Sequence, residues 1–225
     1  MQQLTLDVRP RLEPTLDGFV TGDNQALLAA LRQQAGAQDG SWLYLWGAPA
    51  SGRSHLLQAT VREACRPARY LSADRAGELQ ITAGALVAVD DVEQLDEAGQ
   101  AALFRALIQA REAQGSLILA GNAPPQHLRI REDVRTRIGQ ALIFEVQPLD
   151  DTAKGLLLMQ HAAARGFMLE ADIVEYLLRH GRRDARWLMA VLDALDEASL
   201  TQARPVTLPL LREILREDCE PELPF

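Results

Sequence analysis

The sequence predicts an α/β fold: a mostly parallel sheet core carrying a phosphate-binding loop (P-loop), followed by a small all-α domain. Three observations carry this. An apolar–aromatic run, Trp42 to Trp46, leads into Gly47-Ala48-Pro49-Ala50-Ser51-Gly52-Arg53-Ser54 and then into an apolar-periodic stretch, which reads as strand, glycine loop and helix. Short apolar runs then alternate with helical stretches, as crossover units of a parallel sheet require. From Pro148 onward the apolar spacing is helical throughout.

In chain order, residues 1–20 contain two prolines and no sustained period, and are expected as an extended tail. Within them Gln3-Leu4-Thr5-Leu6-Asp7-Val8 alternates polar and apolar, the pattern of a strand-like peptide that docks in a groove. Thr21-Gly22-Asp23-Asn24 caps a helix carrying Leu27, Ala30 and Leu31 at helical spacing, and residues 36–41 turn into the first strand. After the loop, Leu57, Val61 and Ala64 give a helix one core face, and Pro67 stops it. Strands are expected at 68–72, 85–89, 116–120 and 142–146. A helix bearing Leu103, Phe104, Leu107 and Ile108 precedes the third of these and ends at Gly115. Helices follow at about 151–165, 171–180, 184–201 and 208–216. The expected organisation is thus a tail (1–20), an α/β nucleotide-binding domain (21–148), a helical lid (149–216) and an acidic tail (217–225).

At 225 residues, 48% hydrophobic and 24% charged, the chain has the length and composition of a soluble protein with a proper core. No apolar run reaches the roughly 18 residues that a membrane span needs, and no signal-peptide core opens the chain. The two cysteines and four histidines show no metal-ligand spacing, so a reducing cytoplasm is expected. A net charge of −8 argues against an extended nucleic-acid surface, which needs clustered Lys and Arg.

The glycines let backbone N–H groups curl around a di- or triphosphate, and the helix N-terminus adds its positive dipole end. Gly47, Ser51, Gly52, Arg53, Ser54 and His55 are the loop's candidate nucleotide contacts, with Ser54 set to bind Mg²⁺. Arg53 departs from the pattern, which has Lys there; its forked guanidinium suits holding nucleotide better than turning it over. Asp90 and Asp91 end a buried strand, where a parallel sheet presents ligand groups: the first acid to hold Mg²⁺ through water, the second to orient a water. Two acids in that place also serve as a plain turn or helix cap. Asn122 ends the next strand and is the candidate γ-phosphate sensor, or simply a turn residue. Arg129, Arg131, Arg135 and Arg137 form a basic run that is either a solvated helix face or the source of an arginine finger reaching a neighbouring molecule's nucleotide. Arg183 and Arg186 lie off the apolar face of a lid helix, where they either form an ordinary polar face or project back onto the nucleotide.

As a set, these features resemble the AAA+ ATPases, and more narrowly the bacterial initiator DnaA clade. Gly22-Asp23-Asn24-Gln25 is similar to the clade's opening segment, and Gly52-Arg53-Ser54-His55-Leu56-Leu57 looks like its regulatory, initiator-related branch. Arg135-Thr136-Arg137-Ile138-Gly139 is similar to the finger segment and Asp184-Ala185-Arg186 to the sensor-two segment, so the resemblance puts the finger at Arg137 and the lid arginine at Arg186. Gln3, Leu4, Leu6 and Val8 resemble a sliding-clamp-binding peptide, although Asp7 and the small Val8 depart from it. The resemblance implies ADP (or ATP) with Mg²⁺ as resident ligand. It also implies two partners, the DnaA initiator and the DNA polymerase III sliding clamp. The implied role is a negative regulator of replication initiation: bound to the DNA-loaded clamp, it presents Arg137 in trans to ATP held by DnaA, so that hydrolysis occurs in the partner. The chain stops where the lid stops, so no DNA-reading domain is expected, nor a membrane partner; self-association stays open. The rival classes are an autonomous AAA+ ATPase acting as loader or adaptor, expected to keep the loop Lys; a DNA-binding initiator fragment, which would need a basic reading helix; and an interaction module with a vestigial loop.

Overall fold

The computed structural model describes residues 13–36, 40–182 and 184–217, with side chains to Leu215. The core is a five-stranded, all-parallel sheet: β1 (Trp42–Trp46), β2 (Ala68–Leu71), β3 (Leu86–Val89), β4 (Ser116–Gly121) and β5 (Leu142–Glu145), in spatial order β2-β3-β4-β1-β5. The three central strands carry unbroken apolar runs because both faces of the sheet are covered.

On one face Leu43, Leu45, Leu86, Ala88, Ile118 and Ala120 pack against α1 (Gln25–Gly36) and α2 (Arg53–Glu63). On the other, Tyr44, Val87, Val89, Leu117 and Leu119 pack against α3 (Glu97–Ala113) and α4 (Glu132–Ile138). The period-2 alternation of each strand divides its side chains between these two cores. Because β1 lies between β4 and β5, the loop leaving β1 sits beside the end of β4, where the strand order reverses and ligands bind in open α/β sheets.

Four helices follow: α5 (Asp151–Ala164), α6 (Ala171–His180), α7 (Ala185–Gln202) and α8 (Leu208–Glu217). They enclose their own core of Leu158, Ile173, Leu177, Leu188, Leu192, Leu195 and Leu210. Asp150 and Asp184 cap α5 and α7 by accepting from the N–H of Ala153 (2.6 Å) and Trp187 (2.7 Å). Asn24, 2% exposed, ties the start of α1 to the chain leaving β5: its amide donates to the Gln147 carbonyl and its Oδ1 accepts from the Gln147 N–H.

Residues 13–20, expected as extended tail, lie against the sheet domain. Leu16 is 1% exposed, its N–H donates to Glu63 Oε1, and Phe19 packs with the α1–α2 core. Residues 3–8, the peptide-like segment, fall outside the described residues, as does Arg183.

Candidate nucleotide site

The loop between β1 and α2 curls because two of its residues turn left-handed, Ala50 (φ 60°) and Gly52 (φ 95°). At Gly52 a side chain is excluded twice over: by that φ, and by Phe19, whose ring would stand 2.7 Å from an added Cβ. At Gly47 an added Cβ would meet Ser51 Oγ at 2.9 Å and the Val146 carbonyl at 3.0 Å. Ser51 Oγ is buried and has no hydrogen-bond partner among the described residues. A curled loop with a spare hydroxyl, opening onto the N-terminus of α2, fits a nucleotide phosphate.

Around this loop the structure gathers most of the expected residues. The Arg53 guanidinium donates through Nη1 to the carbonyls of Gly47 (3.0 Å) and Gly121, and its Nη2 stands 3.5 Å from Asp91 Oδ1. Asp90 is 2% exposed and both its oxygens are engaged: Oδ2 accepts from the Tyr70 hydroxyl (2.9 Å) and Oδ1 from the Asp91 N–H (3.0 Å). Asp91 sits in the left-handed region (φ 46°), a conformation that costs free energy and that Asp tolerates better than most residues. Burial raises its pKa, Asp90 pushes the same way, and Arg53 and Arg186 oppose it. Arg186, exposed on the first turn of α7, is thus close enough to Asp91 for its charge to be felt across from the lid. Asn122 is exposed directly after β4.

Other residues take different places. Ser54 is exposed on the first turn of α2. His55 faces the chain before α1: Nε2 lies 2.9 Å from the Thr15 carbonyl, and the ring is 5.9 Å from that of Phe19. Among the described residues no group of three or more His, Cys, Asp or Glu is arranged to hold a metal ion. Arg137 belongs to the α3–α4 face, where its guanidinium lies over the Phe104 ring at 4.8 Å from the centroid; Arg131 reaches the same ring at 6.0 Å and pairs with Asp133 (2.6 Å).

Four residues of the site carry no motif. Tyr70 and Tyr44 are held by hydrogen bonds to Asp90 and to the Ala123 carbonyl. Burial pushes the Tyr70 pKa up to about 12 and holds Tyr44 well above the usual tyrosine range. Glu93 hangs from the turn after β3, and its carboxylate takes the backbone N–H groups of Glu93 and Asn122; burial raises its pKa and those bonds oppose the rise. Phe104 underlies Arg137.

Residues 151–215 match the family described as "Hda, lid domain". The fold aligns with domain III of the replication initiation protein DnaA of Thermotoga maritima at TM-score 0.81, with 17% identity over 95% of this chain and 100% of that one. The likeness to DnaA domain III is one of fold: a parallel-sheet core of the AAA+ kind followed by a helical domain. AMPPCP-bound DnaA from Aquifex aeolicus aligns at TM-score 0.70, with 20% identity over 86% of this chain and 68% of that one. A single-substitution variant of RuvB from Thermotoga maritima aligns at TM-score 0.72, with 16% identity over 91% and 72%. The matched segment includes Arg186, whose charge acts on Asp91. No helix among the described residues is long and apolar enough to cross a membrane.

Proposed function

We propose that the chain is a DnaA-related regulator of replication initiation that holds an adenine nucleotide and supplies Arg137 in trans to DnaA. The observation that carries the reading is a segment matching the Hda lid model after a core that shares the fold of DnaA domain III and carries a phosphate loop. Gly47, Ser51, Gly52 and the first turn of α2 would hold the phosphates of ADP or ATP. Ser54 and Asp90 would share Mg²⁺ with them, and Asn122, Asp91 and Arg186 would line the rest. In the cytoplasm, residues 3–8 would bind the polymerase III sliding clamp, so that the regulator acts only on clamp-loaded DNA.

Two features support action in trans. Arg53 is engaged by the Gly47 and Gly121 carbonyls and by Asp91, so its charge is drawn away from a γ-phosphoryl group in this chain's own loop, which disfavours turnover there. Arg137 rests on Phe104, on the face of the sheet opposite α2. A guanidinium held on a ring has little side-chain entropy left to lose when it meets a partner's γ-phosphoryl group, whose developing charge it would stabilise.

The test is ATP hydrolysis by ATP-loaded DnaA with DNA-loaded clamp, with and without this protein. Acceleration that requires the clamp, and that disappears when Gln3 and Leu4 are replaced by Ala, is expected. Hydrolysis by this protein alone, with no effect on DnaA, would instead indicate an autonomous AAA+ ATPase.

A further inference from the structure

Asn122 stands between two backbone carbonyls that are held from different elements. On one side the Gly121 carbonyl, at the end of β4, accepts from Arg53 Nη1, the same nitrogen that reaches the Gly47 carbonyl 3.0 Å away. On the other side the Ala123 carbonyl accepts from the Tyr44 hydroxyl at 2.5 Å. Tyr44 lies in the middle of β1 and is 0% exposed. β1 and β4 pair in the register Tyr44↔Leu119, and the chain bends at Asn122 and Ala123, which brings the Ala123 carbonyl back to the hydroxyl. Gly121 leaves the hydroxyl its room, because a Cβ there would collide with it.

Asn122 itself is exposed, and its side chain makes no hydrogen bond among the described residues. A free amide on a fixed backbone meets a ligand only where that backbone puts it, and a site group out of place by about 1 Å loses much of its effect. The contacts that set the place of Asn122 are therefore those on the carbonyls beside it. Tyr44 supplies one of them through a single atom: its ring packs in the core as a phenylalanine would, and only the hydroxyl reaches the turn.

We infer that Tyr44 is a positioning residue for Asn122: its hydroxyl fixes the turn after β4 so that the Asn122 amide meets the terminal phosphate of a nucleoside triphosphate, and it thereby sets how well this chain tells triphosphate from diphosphate. The inference rests on reading the loop as a nucleotide site with Asn122 at the γ-phosphate. Tyr44, fully buried, acts through Asn122 and does not touch the ligand.

Equilibrium titrations of ADP and of AMPPCP, a triphosphate that resists hydrolysis, into the full chain with Mg²⁺ test this with wild type, Tyr44→Phe, Asn122→Ala and the double variant. Tyr44→Phe is expected to weaken AMPPCP relative to ADP about three- to tenfold, the worth of one hydrogen bond. It should move that ratio less than about twofold when Asn122 is already Ala. A loss shared equally by both nucleotides is what a purely structural tyrosine would give, and it overturns the inference. So do an unmoved ratio, a shift that persists without Asn122, and an Asn122→Ala variant whose ratio matches wild type. If Tyr44→Phe does not fold, Gly121→Ala, which pushes the hydroxyl off Ala123, must show the same Asn122-dependent shift, and its absence overturns the inference. Wild type that binds neither nucleotide removes the nucleotide-site reading and the inference together; wild type that binds both while the variants leave the ratio fixed removes the inference alone.

Discussion

Asn24→Ala is expected to loosen the joint between the sheet domain and the lid. Asn24 is 2% exposed, and its side chain satisfies both backbone groups of Gln147, with Nδ2 3.1 Å from the carbonyl and Oδ1 2.8 Å from the N–H. Alanine removes both bonds and offers nothing in return. Each unsatisfied buried backbone group costs roughly 1–3 kcal/mol. Gln147 is only half-buried, so water reaches part of the gap and a loss of about 2–4 kcal/mol is expected. Asn24→Asp keeps the acceptor for the Gln147 N–H but sets a carboxylate oxygen against the Gln147 carbonyl, so it should lose at least half as much. Urea unfolding reads both variants as a lower midpoint at unchanged slope. A loss under about 0.5 kcal/mol in both would refute the reasoning, because it would put them within the range of ordinary surface substitutions.

Other expectations follow from single contacts. Leu16→Ala should cost about 2–5 kcal/mol, the range for a fully buried leucine, and a thermal midpoint close to wild type would mean that residues 13–20 are not docked in solution. The Tyr70 hydroxyl should titrate near pH 12 instead of 10, seen as a phenolate absorbance step missing from Tyr70→Phe. Since its pKa is raised on folding, that neutral hydroxyl contributes stability fully below pH 10, and the contribution fades as pH rises toward 12. Phe104→Ala should lower stimulation of DnaA hydrolysis about 2- to 30-fold by freeing Arg137, with Phe104→Tyr retaining it; equal stimulation by all three proteins would show that the ring does not position the arginine.

Much of the fold was legible because its elements are locally consistent. The strand at 42–46 and the helix at 171–180 have the limits that apolar runs and 3.6-residue spacing give them. The gathering of Asp90, Asp91 and Arg53 at one sheet end was legible too, since strand ends in a parallel sheet converge. What escaped was set by neighbours in space. The tail segment 13–20 has two anchors, Leu16 and Val20, separated by Gly18, and no period; its docking depends on Glu63 and the Phe19–Gly52 contact, far away in sequence. Tyr70 reaches Asp90 only because β2 pairs with β3 in the register Leu71↔Val89, which no local pattern encodes. Glu93 carries no motif; its carboxylate comes beside Gly121 because β3 and β4 are neighbours. His55 looked like part of the loop through its position in the motif, yet helical geometry turns its ring toward Thr15.

The most direct measurement is the rate of ATP hydrolysis by DnaA, with DNA-loaded clamp present, stimulated by wild type and by Arg137→Ala. An arginine finger contributes roughly 10³–10⁵ in rate, so the variant should leave DnaA at its unstimulated rate while still binding ADP as wild type does. Stimulation by Arg137→Ala at the wild-type rate would contradict the account.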